Sequence, residues 1–365
     1  MLVRVVEKRR LQDGAMTLGL VLFGGLLLAY PAAAATGISR GMSLCSSVIL
    51  PTLFPFMLLS GLLAESPLCR YPGQWMETIT RRLFGLPGCC GPAILLGLVG
   101  GYPAGMMAVA RLYRQGQIHR EEWRRLSAFC IGGGPGFVIS LVGARLMNSV
   151  HAGVLLYTAQ VVAAIAIGIG LGHGQRHTIT PSRPPLTPRR PFATIVGDCC
   201  GALLTICGFV GLAAMSLALI EGMGLAATLA AWLCTDTATV SAVLGALLEV
   251  SGGCVAVVGL GGLTPLWLSL TLSWAGLSVQ GQLAATLPEE RLLCPYFWRW
   301  RLTHGLLSGG IAMALFHWFP PNDQTVGGQP RALPYSVSAS GSIMLIFLCF
   351  LTMLYFSQKK TGNPE

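Results

Sequence analysis

The stretch "LVGGYPAGMMAVARLYRQGQIHREEWRR", Leu98 to Arg125, joins two features that an ordinary transmembrane helix does not combine. Its first part is apolar yet carries Gly100, Gly101, Pro103 and Gly105, residues that break helices. Its second part holds five arginines. Backbone polar groups inside a bilayer must be satisfied by protein, so a break is tolerated only within protein or beside a polar cavity. The stretch therefore predicts a segment that enters the membrane, turns at GGYPAG and returns to a basic loop. Full crossing of the membrane is the alternative.

The rest of the chain sets this segment in a membrane protein. Of 365 residues, 53% are hydrophobic and 10% charged, with a mean hydropathy of +0.66. A soluble domain carries about 25% charged residues. Apolar runs recur at about 15–35, 43–64, 88–110, 127–146, 150–171, 195–221, 239–260, 266–287, 302–319 and 341–356. The expected fold is an all-α polytopic membrane protein, with about eight transmembrane helices plus two re-entrant or broken segments. The 24 Lys and Arg against 14 Asp and Glu suit cytoplasmic loops. No basic motif is interleaved with aromatics, so no nucleic-acid partner is expected. The twelve cysteines lie mostly within apolar runs, and no Cys/His set has zinc spacing. They are expected to be inert small apolar residues, with no metal and no cofactor. P-loop and HExxH motifs are missing from the sequence, and an enzyme is not expected.

Positive charges test the topology. If every run crosses, 111–125 faces the same side as the weakly charged loop 31–42, against the positive-inside tendency. If 88–110 and 239–260 instead enter and leave on one side, bent at GGYPAG and near EVSGG, 21 of the 24 Lys and Arg fall on cytoplasmic segments. Those segments are 1–14, 65–87, 111–125, 172–194, 288–301 and 357–365, leaving Arg40, Arg145 and Arg331 outside. Both termini are then cytoplasmic in a multi-pass cell-membrane protein. Residues 15–35 are long for a cleaved signal, yet "AYPAAAATG" offers small-residue cleavage sites, so a retained span and a removed signal both stay open.

The halves of the chain align weakly. Residues 95–112 lie over 243–260 at an offset of 148, pairing Gly97 with Gly245, Gly101 with Glu249 and Gly105 with Gly253. Residues 126–140 lie over 268–282 and pair Gly134 with Gly276. In the proposed topology the halves run in opposite orientations, an inverted repeat with broken segments in matching places. That arrangement points to a secondary transporter. Chance alignment of Gly-rich apolar stretches is the competing explanation. The organisation is then 1–42, a cytoplasmic segment and first span; 43–171, a first repeat; 172–194, a cytoplasmic Pro/Arg linker; 195–319, a second, inverted repeat; and 320–365, an outer loop, last span and cytoplasmic tail. The amphipathic stretch 73–86 is expected along the inner interface, with 224–236 as its outer counterpart.

Four breaks are expected to meet near the midplane, at 100–105, 132–136, 251–253 and 276–282. Candidate substrate contacts are Gly101, Tyr102, Pro103 and Gly105 in the first and Gly133, Gly134 and Pro135 in the second. Ser251, Gly252 and Gly253 belong to the third, and Ser278, Gln280 and Gln282, in an unhelical-looking stretch, to the fourth. Freed N–H groups at half-helix N-termini attract anions, so a small anionic solute fits as cargo. Glu249 adjoins the third break, and a carboxylate there is expensive. It is a candidate for ion coupling; an acceptor that stabilises the bend and a group at the membrane surface are the other readings. Glu65, Arg145 and Glu221 lie at span ends as anchors.

"PTLFPFMLLSGLL" (51–63), "GLVGGYPAGMMAVARLYRQGQI" (97–118), "GGPGF" (133–137) and "WAGLSVQGQL" (274–283) resemble the YlbJ-like sporulation integral membrane proteins. These belong to the broader gate or nucleoside-recognition group, which includes nucleoside transporters. The resemblance covers about 43–285 and implies gate-type repeats, a role in spore formation and a place in the mother-cell-derived membrane around the forespore. It also implies movement of dipicolinic acid. Family members commonly carry Asn, Thr or Ser just before GP in the fourth segment. Here "FCIGGGPGF" places Ile131, Gly132 and Gly133 there, so a polar contact is lost or backbone replaces it. The expected function is a secondary transporter or permease for dipicolinate or another small carboxylate. A non-transporting scaffold or assembly factor of a sporulation complex is the alternative. Expected partners are the lipid bilayer and a small anionic solute, with a homodimer or other sporulation membrane proteins also open.

Overall fold

Proline and the lack of charge set the first long element. The computed structural model describes residues 2–66, 69, 74–173, 190–258, 261, 263–286 and 295–321. Helix α1 (Leu2–Ala29) ends at Tyr30, and α2 (Pro31–Leu44) begins on a proline, which suits a first helical turn. A π-helical segment, Cys45–Ile49, joins α2 to α3 (Leu50–Ala64). Pro51 lacks an N–H and crowds the preceding turn; the backbone widens there, with the Leu50 N–H bonding the Cys45 carbonyl five residues back. The rod from Pro31 to Ala64 is 34 residues long and apolar enough to cross a bilayer. The weakly charged loop expected at 31–42 is therefore helix instead.

The remaining elements follow as α4 (Gln74–Phe84), α5 (Gly91–Val99), α6 (Tyr102–Arg114), α7 (Arg120–Phe129), a second π-helical segment (Gly136–Leu146) and α8 (Val150–Gly172). The second half holds α9 (Phe192–Gly222), α10 (Leu225–Trp232), α11 (Thr237–Leu248), α12 (Val250–Val258), α13 (Thr264–Trp274), α14 (Gly276–Thr286) and α15 (Pro295–Trp318). Every regular element among the described residues is helical. Three are long and apolar enough to cross a membrane: the rod, α8 and α9. The number rises to five if each of two bent pairs counts as one span. The linker core at 174–189 and the outer loop, last span and tail at 322–365 lie outside the described residues.

The rod and α9 lie antiparallel with small residues at the contact. A Cβ on Gly37 would sit 2.6 Å from the Met215 Cα, and one on Gly41 would sit 2.8 Å from the Gly211 Cα. This is the close backbone approach that small-xxx-small spacing permits in membranes. Charged pairs mark both ends. Arg40 lies 3.6 Å from Glu221 at one, and Arg190 bonds Glu65 at 2.7 Å and Asp198 at 2.9 Å at the other. Glu65 and Glu221 are thus paired anchors.

Each half then turns a corner and folds a short hairpin. The amphipathic α4 meets the segment Gly88–Val99 at 99°, and α10 meets α11 at 113°. Asp236 caps α11 at the second corner, accepting from the Thr239 N–H at 2.8 Å and its hydroxyl at 2.6 Å. These bonds hold its carboxyl below the usual carboxylate range. Beyond the corners, α5 folds back on α6, and α11 on α12. Glycine lets the arms touch. A Cβ on Gly105 would fall 2.3 Å from the Gly97 Cα, and one on Gly253 would fall 2.4 Å from the Ala246 Cα.

Candidate functional site: four helix breaks and the cavity between them

The two hairpin tips are pressed against two further breaks. The first tip is Gly100–Gly101, and the Gly101 φ of +79° is a conformation that L side chains resist. It packs on Gly134, in the irregular stretch 131–134, with their backbones close enough that a Cβ on Gly101 would meet the Gly134 N at 3.1 Å. The second tip is Glu249, in extended backbone with φ −150° and ψ 134°. It packs on Gly276, where a Cβ would lie 2.8 Å from the Glu249 Cα. Ala275 and Gly276 both have positive φ, and this pair alone makes the fourth break.

Every helix that stops at a break leaves carbonyls without partners. At all four, a side chain from elsewhere in the fold supplies a donor. The Tyr157 hydroxyl donates to the Leu98 carbonyl at the end of α5, at 2.8 Å. Arg301 donates to the carbonyls of Ala128 and Ile131 at the end of α7. The Trp274 indole N–H donates to Leu247 at the end of α11, at 3.3 Å, and the Tyr102 hydroxyl donates to Leu272 at the end of α13. The cost of the breaks is thus lowered on the carbonyl side. Tyr102→Phe is expected to cost about 1 kcal/mol of detergent stability, the scale for one internal hydrogen bond. A thermal melt monitored by thiol-reactive dye or fluorescence checks it.

The N–H side is treated differently. Glu249 caps α12, its Oε2 accepting the Gly252 N–H at 2.6 Å. Gly101 before α6 and Pro135 before the second π segment supply no side-chain acceptor. At the second of these the Gly134 carbonyl accepts from the Phe137 and Val138 N–H groups, both at 3.0 Å. Both ends line a cavity of about 60 Å³, together with Glu249 and Ser251 at the second tip and Gln282 on α14. Leu53, Phe56 and Met57 of the rod close it.

The cavity brings together six of the expected site residues: Gly101, Tyr102, Gly134, Glu249, Ser251 and Gln282. The others sit elsewhere. Gly105 and Gly253 are packing residues inside the hairpins. Gly252 faces a different cavity, beyond Glu249. Pro103 is the second residue of α6, and Gly133 and Pro135 lead into the second π segment off the lining. The expected bend at 251–253 lies at Glu249 instead, because Ser251, Gly252 and Gly253 already belong to α12. The unhelical stretch expected at 276–282 is likewise a helix, so alternate residues point apart. Gln280 bonds the Trp274 carbonyl and the Trp298 indole, and the buried Ser278 hydroxyl has no bonding partner among the described residues.

Sequence reasoning missed a buried polar layer beside this site. Arg301, counted with a cytoplasmic segment by the charge rule, is only 1% exposed. One helical turn on, His304 bonds the Gln160 carbonyl at 3.0 Å, and the Gln160 side chain bonds Ser308 at 3.0 Å and Ser273 at 3.2 Å. Gln160 and His304 within apolar runs were the available signal. The described cysteines are free thiols, mostly buried, with Cys234 exposed.

No family model matches the chain, and no solved structure does. The sporulation integral membrane protein YlbJ of Bacillus subtilis (strain 168) is 26% identical over 325 aligned residues, covering 80% of this chain and 79% of that protein.

Proposed function

We propose that this chain, a member of the YlbJ-like sporulation integral membrane proteins, is a secondary transporter that moves a small organic anion through the cavity between its four breaks. One observation carries the reading. At every break an internal side chain donates to the carbonyl end, while the N–H end of α6, on the cavity wall, has no side-chain cap. Such ends favour an anion. Glu249, on the same wall, is the coupling group in this reading, its charge taken up by a cation when an anion sits beside it. A scaffold gains nothing from a helix that begins uncapped at a cavity.

The inverted repeat belongs to the same proposal. Contacts recur at matching places: Gly97 against Gly105 in the first hairpin and Ala246, one residue past the aligned Gly245, against Gly253 in the second, with Gly101 against Gly134 and Glu249 against Gly276 at the tips. The two bent corners and the two hairpins follow in the same order in each half. In this topology the basic loop after α6 is cytoplasmic and the α10–α11 corner is outside. A single thiol at Gln115→Cys should react with an impermeant reagent only from the cytoplasmic side. Native Cys234, kept alone, should react only from outside. Labelling of both from one side would exclude the topology.

For cargo, the family resemblance favours dipicolinate, moved across the membrane around the forespore. A cavity of about 60 Å³ is far below the roughly 300–1,000 Å³ of ligand pockets, so in this reading the hairpins part to load it. Binding is tested by melting the purified protein with dipicolinate. Saturating ligand at about 100-fold its Kd should stabilise by about 2.7 kcal/mol. A neutral isosteric diamide should do nothing. Equal stabilisation by both would remove the anion preference.

A further inference from the structure

Glu249 separates two cavities. On the side away from the central cavity, a larger one of about 220 Å³ opens between α2, α9 and the second hairpin. Arg40 and Ser47 of the rod, Leu217 and Glu221 of α9, and Glu249 and Gly252 of the hairpin are among its walls. Among the described residues, Glu249 alone lines both. From Arg40 to Ser47 the rod rises about 10 Å, so this chamber runs from the Arg40–Glu221 pair at the bundle end down to the Glu249 carboxylate.

The chamber's chemistry favours a cation over an anion. Two carboxylates, Glu221 and Glu249, line it against one cation, Arg40. The Arg40–Glu221 pair is long and partly exposed, with side chains 54% and 36% accessible, so it holds the mouth weakly. Other titratable groups within electrostatic reach of Glu249 are Tyr102 of α6, Cys45 of the first π segment and Cys254 of α12. A hard metal ion would need about six to eight oxygen ligands. Among the described residues, no group of three His, Cys, Asp or Glu side chains is placed to hold one. A proton needs one carboxylate oxygen.

We infer that the chamber is the route by which a proton from the outer side reaches Glu249, on the face opposite the organic anion. Hydronium in the chamber gives its proton to the carboxylate, leaving water and a neutral carboxylic acid. The neutral acid no longer repels an anion in the adjoining cavity. The inference rests on the transport reading for its purpose, but the route can be tested without transport.

Gly252→Cys in a cysteine-free background puts a thiol on the chamber wall, where a Cβ meets only the Glu249 carboxylate at an ordinary 3.6 Å. Leu217→Cys is the second variant if that one fails to fold, and Met57→Cys places a thiol in the central cavity. In right-side-out vesicles, impermeant thiosulfonate added outside should label the chamber variants and spare Met57→Cys. Infrared difference spectra should show a protonated-carboxyl band that grows as outside pH falls, is absent in Glu249→Gln and is lost once the chamber thiol is blocked. Chamber labelling only from the inner side, or a band that follows inside pH, overturns the route. Vesicles that show the outside-sided band but take up no organic anion defeat the transport reading and leave the route standing.

Discussion

Gly105→Ala is expected to abolish the folded protein. The added methyl would lie 2.3 Å from the Gly97 Cα and 2.5 Å from the Cys130 carbonyl oxygen. Both obstacles are backbone, so no side chain can swing away to make room. Overpacking costs about 1–3 kcal/mol, and more where only backbone could yield. The whole arm of the hairpin would have to part from α5 and from the break after α7, pulling the first tip off Gly134. The matched control is Gly201→Ala on α9, where a new Cβ meets nothing within 4 Å. That change should be neutral or stabilise by up to about 1 kcal/mol through helix propensity. Size-exclusion profiles and melting temperatures in detergent check both. A monodisperse Gly105→Ala variant with unchanged melting would mean that the two arms do not touch.

That glycine shows how far the sequence could be read. The spacing of Gly97, Gly101 and Gly105 announced a break and a close approach, and the fold contains both. What the spacing could not say was which glycine faces a partner helix and which faces a cavity. A missing side chain serves either purpose equally, so Gly105 and Gly253 looked like site residues when they are packing residues. The fourth break misled for another reason. Ser278, Gln280 and Gln282 alternate with small or apolar neighbours, a period-two pattern, but two residues of positive φ at Ala275 and Gly276 complete the turn and helix resumes at once. Ala275 gives no hint of this, because non-glycine residues adopt positive φ only when tertiary packing imposes it. Arg301 was hidden by its position. A charge near the start of a helix reads as a loop anchor, and only the three-dimensional fold brings the end of α7 to it. The hairpins, the corners and Glu249 were legible because proline, glycine and charge carry their own physical signal in an apolar chain.

Glu249→Gln should separate the two roles of this residue. Glutamine keeps the shape and can still accept the Gly252 N–H that Glu249 Oε2 now accepts at 2.6 Å. Replacing a charged acceptor by a neutral one should cost about 1 kcal/mol, so the variant is expected to purify and melt close to the parent. It cannot exchange a proton at neutral pH. Uptake driven by a pH gradient should therefore be lost, while exchange of anion for anion across the membrane, which needs no net proton movement, should survive. Glu249→Ala should lose the cap as well, at about 1–2 kcal/mol, and its fall in stability against Glu249→Gln measures the structural share.

The most direct measurement is uptake of radiolabelled dipicolinate into proteoliposomes that contain only this protein, with the outside more acidic than the inside. The expected result is uptake above protein-free vesicles that collapses with a protonophore and is missing in Glu249→Gln vesicles holding equal amounts of folded protein. No uptake by the folded wild-type chain, or gradient-driven uptake that Glu249→Gln leaves unchanged, would contradict it.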